Sequence, residues 1–121
     1  MKLDRLFILT GFAWVVLGMV FGIYLGITNQ LNLANTHAHA NLVGFVISIL
    51  FGLLHHNWPK MQASGVALPQ FWVYQLGAVI LVAGKYVVDT GGGSALVATG
   101  SVIVVVGTLM MVWLFAVKSG E

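Results

Sequence analysis

The segment NTHAHANLVGFVISILFGLLHHNWP, residues 35–59, decides how this chain folds. It holds all four histidines: His37 and His39 near its start, His55 and His56 near its end. Between the two pairs, Ala40 to Leu54 carries no charge and is rich in Leu, Ile, Val and Phe. Wound as a helix, such a run crosses most of a bilayer's hydrocarbon core. Ionisable side chains at its edges are costly unless something compensates them, so their default reading is a functional site. The pattern predicts a transmembrane helix over about 36–56 with imidazoles at both ends.

The rest of the chain has the same character. Of 121 residues, 60% are hydrophobic and 7% charged, and the mean hydropathy is +1.00. That is too apolar for a soluble domain of this length and predicts an integral membrane protein. There is no cysteine, which excludes disulfides, thiolate metal sites and covalent haem attachment through Cys-x-x-Cys-His. A net charge of +2 is too small to point to nucleic acid. The N-terminal MKLDR leads into a long apolar run with no clear small-x-small cleavage site, so a retained first helix is expected.

The expected architecture is all-α: one four-helix transmembrane domain over 1–121, with helices at about 6–27, 36–56, 70–88 and 95–117. Gly18, Gly22 and Gly26 repeat every fourth residue, with Gly11 on the same side, forming a ridge that admits close approach of another helix. Asn35 or Thr36 is placed to cap the second helix, and Trp58-Pro59 stops it. Phe71, Trp72 and Tyr74 read as an interfacial aromatic belt. The β-branched run Val102–Val106 has strand propensity, but its length and lack of turn signals favour a spanning helix. Lys2, Arg5, Lys60 and Lys118 fall on one side of this topology, with Lys85 towards the other. The positive-inside rule then puts both termini in the cytoplasm, His37 and His39 near the outer face, and His55 and His56 near the inner face.

Helix geometry limits what the histidines can do. His39 and His55 are sixteen positions apart, roughly 24 Å along an axis, so they cannot share a metal within one helix. His37 and His39 are two positions apart, about 200° around a helix at about 100° per residue, so they face opposite ways. On the His37 side lie Asn41, Gly44, Ser48 and His55; on the His39 side lie Leu42, Val43, Val46, Leu50 and Leu53. An axial imidazole above an aliphatic wall is what a flat iron macrocycle requires, and His39 fits that best. A plainer reading stands beside each residue. His39 serves as an interfacial histidine, His37 as a cap, and His55 and His56 as solvated groups at the inner interface. Lys85 snorkels, Asn41 hydrogen-bonds between helices, and Met110 and Met111 fill the core.

His39-Ala-Asn41, followed by an aliphatic run and a glycine, resembles the His-Thr-Asn start of the second helix of subunit I in cbb3-type oxidases and nitric oxide reductases. There the histidine is an axial ligand of low-spin haem b. His37-Ala-His39 is similar to the His-x-His of the tenth helix of haem-copper oxidase subunit I, whose two histidines serve haems on opposite faces. That subunit is built from three four-helix arcs. The resemblance therefore implies one such arc, assembling as a homotrimer in the bacterial inner (cytoplasmic) membrane. It implies haem b, with its iron, between neighbours, ligated by His39 and His37. Asn41 would support a ligating imidazole, and Lys85 and Tyr86 would lie near the propionates. The implied work is electron transfer from a respiratory-chain donor, or binding of a diatomic gas. The family's copper-site pattern is missing, so copper is a lesser expectation and enzymatic turnover is left open. Two other readings use the same residues: a Cu/Zn-binding or transport protein with a ring of His37 or His39, and a non-catalytic accessory subunit packed on a larger oxidase through the helix 1 glycines.

Overall fold

The computed structural model describes residues 1–120. Four helices form the fold: α1 (Leu3–Thr28), α2 (Leu31–Asn57), α3 (Ala67–Asp89) and α4 (Ala95–Lys118). Each is long and apolar enough to cross a membrane, and among the described residues there is no strand. The chain is thus a multi-pass membrane protein surrounded by lipid. Val102–Val106 lies inside α4, because a lipid-exposed segment satisfies its own backbone only as a helix or within a closed barrel.

The helix ends follow local chemistry. Asn29 takes a left-handed conformation (φ 55°) after α1, and the Gln30 N–H closes on the Leu25 carbonyl at 3.1 Å. Trp58, held extended before Pro59, ends α2. At the end of α3, Gly91 (φ 95°) makes the left-handed turn, and Gly92 and Gly91 donate to the Val87 and Val88 carbonyls at 2.7 and 3.0 Å. Two starts differ from expectation. α3 begins at Ala67, with Pro69 inside its first turn, where no intrahelical N–H is lost. α2 begins with a 3₁₀ turn at Leu31–Leu33, so Asn35 and Thr36 lie within the helix and neither caps it.

α2 is not uniform. Ala34–His39 is α-helical, Ala40–Val46 is a π-helical segment, and Ile47–Asn57 is α-helical again. In the π segment the Ile47 N–H reaches back five residues to the Leu42 carbonyl. The carbonyl of Val43 thereby loses its usual helical donor. The Tyr74 hydroxyl of α3 takes that place, donating at 2.8 Å. A buried tyrosine and a wider helical turn thus satisfy each other, which a low-dielectric interior demands.

Glycines set the close contacts. On α3 and α4, Gly84 lies against the Val97 backbone and Gly100 against the Leu81 backbone, so an added Cβ would strike main chain that cannot move aside. The ridge on α1 serves the same chain: Gly11 receives Ile49, Gly18 receives Asn41 and Gly22 receives His37, while Gly26 is open. α2 thus fills most of the surface that the accessory-subunit reading needs for a partner helix. The tight core gathers at the end bearing Lys2, Arg5, Lys60 and Lys118, hereafter the basic end. There Phe7 meets Phe71 and Phe51 edge-on at 4.8 and 5.8 Å, with Met61, Met111 and Leu114 around them.

Candidate functional site

At the far end, opposite the basic residues, the start of α2 carries His37 and His39. The structure separates their roles. The His39 ring is half-buried and its Nδ1 lies 2.8 Å from the Asn35 carbonyl oxygen. A carbonyl only accepts, so Nδ1 carries the proton and donates. Nε2 then keeps its lone pair, with no hydrogen-bond partner among the described residues. This tautomer, fixed by a backbone carbonyl behind the ring, is the usual form of a metal-ligating imidazole.

His37 turns towards α1 instead. Its Nε2 lies 3.3 Å from Asn41 Nδ2 and against Gly22, and its ring sits 6.2 Å from that of Phe21. The other end of the Asn41 amide, Oδ1, is buried against Gly18 without a partner. The Asn41–His37 bond thus lies within α2, one turn apart, and the pair packs on the α1 glycines Gly18 and Gly22.

The wall below His39 is only partly the one the sequence suggests. Leu42, Leu50 and Leu53 are exposed, at 57%, 49% and 43%. Val43 instead packs inwards against the core. The π segment is the cause: it turns each residue through less than an α-helix does, so a face read at 100° per residue drifts within Ala40–Val46.

Lys85 and Tyr86 lie at the same end of α3. The Lys85 ammonium is paired with Asp89 at 3.2 Å. The other Asp89 oxygen accepts from the Thr36 hydroxyl at 2.7 Å and the Thr36 N–H at 3.1 Å. Asp89 thus clamps the last turn of α3 to the start of α2, and Lys85 serves that clamp. The sequence pattern alone does not single out Asp89. An acid in the last turn of a helix opposes the macrodipole, which signals a specific partner. Tyr86 is exposed and lines an apolar groove of about 260 Å³ with Trp14, Phe21 and Thr36.

Midway along the helices, a second unforeseen network ties three elements together. Trp14 Nε1 donates to Gln75 Oε1 at 3.0 Å, and Gln75 Nε2 donates to Ser48 Oγ at 2.8 Å. Trp14 lies over Gly44, where a Cβ would collide with the indole.

At the basic end, the expectation of solvated His55 and His56 is corrected for His55. It is fully buried, stacks on Phe7 at 5.6 Å, and neither ring nitrogen has a partner. The reason is rotational: His55 belongs to the same inward stripe as Ser48 and Gly44. His56 is exposed, with Nδ1 3.1 Å from the Asp4 carboxylate. Among the described residues no group of three His, Cys, Asp or Glu side chains can hold a metal ion. A metal at His39 therefore needs ligands from outside the protomer.

No family model, no curated protein and no solved structure matches the chain.

Proposed function

We propose that this chain is an integral membrane haem b-binding protein, related to haem-copper oxidase subunit I, with His39 as an axial ligand. One observation carries the reading. The Nδ1–H of His39 is fixed by Asn35 at 2.8 Å, which leaves Nε2 free on a helix that also exposes Leu42, Leu50 and Leu53 further along. That combination suits a flat apolar macrocycle with an iron centre. The group itself supplies one-electron exchange or axial binding of a small gas. The chain's own residues orient and shield it. Asn35 holds the imidazole tautomer and raises its basicity. The leucine strip excludes water, and Tyr86 offers a hydroxyl at the same end of the helices.

His37 supports the reading less well as a second ligand, because its Nε2 is engaged by Asn41 and Gly22. In the homotrimer that the resemblance implies, a neighbour's His37 must leave that pair to reach iron. A protomer that keeps it would hold the group through His39 alone, and such a group would supply gas binding rather than pure electron transfer. The four basic residues at the opposite end are consistent with both termini in the cytoplasm of a bacterial inner membrane. Haemin titration of the apoprotein tests the assignment. Wild type and His37→Ala should saturate, and His39→Ala should lose most of its affinity. Equal haemin binding by His39→Ala would overturn it. A shared Cu or Zn ion at His39 is the second reading, since the same lone pair serves it. Metal without porphyrin by elemental analysis would favour that instead.

A further inference from the structure

Helices α1 and α3 pass one another with little direct contact, and three cavities follow each other between them. The first, at the basic end, has about 480 Å³ and is walled by Lys2, Leu6, Gln62, Ser64 and Leu68 among others. The second, of about 390 Å³, shares Leu6 with the first and continues past Thr10, Ala13 and Trp72 to Leu17. The third shares Trp14 and Leu17 with the second. Shared walls make them one groove. From Leu6 to Leu17 it covers roughly 16 Å by helix rise, close to half of a hydrocarbon core about 30 Å thick.

The groove is graded in polarity. Lys2 and Ser64 line its mouth, while Leu6, Leu17 and Trp72 line it further in. Asp4 lies within electrostatic reach of Lys2, but its carboxylate is taken up by His56 at 3.1 Å and by the Arg5 N–H at 2.7 Å. Among the described residues the ion pairs are His56–Asp4 and Lys85–Asp89, so Lys2 forms no direct ion pair there. The Ser64 oxygen accepts the Val66 N–H at 3.2 Å, which leaves its own O–H free to donate. Gln62 is already committed, accepting from the Asp4 N–H and donating to the His55 carbonyl.

We propose that this groove binds an anionic phospholipid, with the phosphate at Lys2 and Ser64 and one acyl chain along Leu6, Thr10 and Leu17. A cation and a donor at headgroup level above a leaflet-deep apolar channel match that ligand in both charge and length. A neutral isoprenoid would leave Lys2 unmatched, and the packed helix of a second copy would bury it.

Native mass spectrometry of the protein released from bilayers of equal phosphatidylglycerol and phosphatidylcholine content tests this. Wild type should retain phosphatidylglycerol over phosphatidylcholine by about fivefold, the worth of one lysine at a membrane surface. Lys2→Gln should bring the ratio near parity. Lys60→Gln, at the same end but outside the groove, should leave it unchanged. Leu17→Trp, on an exposed position, should fold normally by circular dichroism and lose bound lipid of both kinds. Equal retention of the two lipids by wild type would overturn the proposal. So would a Lys60→Gln loss as large as that of Lys2→Gln, or efficient Leu17→Cys cross-linking between copies. None of these readings depends on haem.

Discussion

His37 and His39 are two residues apart and their rings serve different ends. His37 bonds to Asn41 one turn on within α2 and packs on α1, while His39 Nε2 keeps a free lone pair. The Asn41 amide is the hinge of that difference. Asn41→Ala should lower stability by about 0.5–1.5 kcal/mol, the net worth of one intramolecular hydrogen bond, measured by unfolding in mixed micelles. An unchanged midpoint would show that the His37–Asn41 contact contributes nothing. His55 makes the opposite case. Its ring nitrogens are buried and unpartnered, and it stacks on Phe7. His55→Phe keeps the ring and removes the unsatisfied polar atoms, so stability should hold or rise. His55→Ala leaves a cavity and should cost about 3 kcal/mol. A collapse of the His55→Phe variant would contradict this assignment and show that the imidazole nitrogens have a required partner.

At the scale of the helix, the π segment is the feature that aims the histidine end of α2. It persists because Tyr74 satisfies the Val43 carbonyl. Tyr74→Phe should cost about 1–2 kcal/mol and speed hydrogen exchange at Ala40–Val46 relative to Ile47–Asn57. Uniform exchange along α2 in both proteins would rule out the coupling. Nothing in Ala40–Val46 announces this turn in sequence: Asn41 and Gly44 are weak helix formers, but neither specifies a π turn. The deciding group lies 31 positions away, beyond the reach of any local pattern. By contrast, the inward position of His55 was visible in its spacing from Ser48 and Gly44. Assigning it to solvent followed from its depth near a helix end, where its rotational face was the better guide. Glycine seams divide in the same way. Gly100→Leu should destroy the α3–α4 contact, because the Leu81 backbone lies where the new side chain begins. Gly26→Leu should be tolerated, because nothing lies within 4 Å. Circular dichroism and monodispersity in detergent would distinguish them, and equal behaviour of the two variants would refute the packing account.

For the whole molecule, composition alone carried the number and nature of the spans, because lipid allows so few solutions to an apolar chain. It did not carry the clamp of Asp89 on Thr36 or the Trp14–Gln75–Ser48 network, which join residues far apart in sequence. The proposed orientation has its own check: a membrane-impermeant thiol reagent should label Gly93→Cys, where nothing lies within 4 Å, and not Ser64→Cys, in intact cells. The reverse labelling would invert the topology and move His39 to the cytoplasmic side. The central claim concerns iron porphyrin at His39. It is tested most directly by the absorption spectrum of detergent-purified protein from haem-replete cells, oxidised and then reduced with dithionite. The account predicts a Soret band that shifts on reduction in wild type, lost in His39→Ala. A colourless wild-type preparation would contradict it.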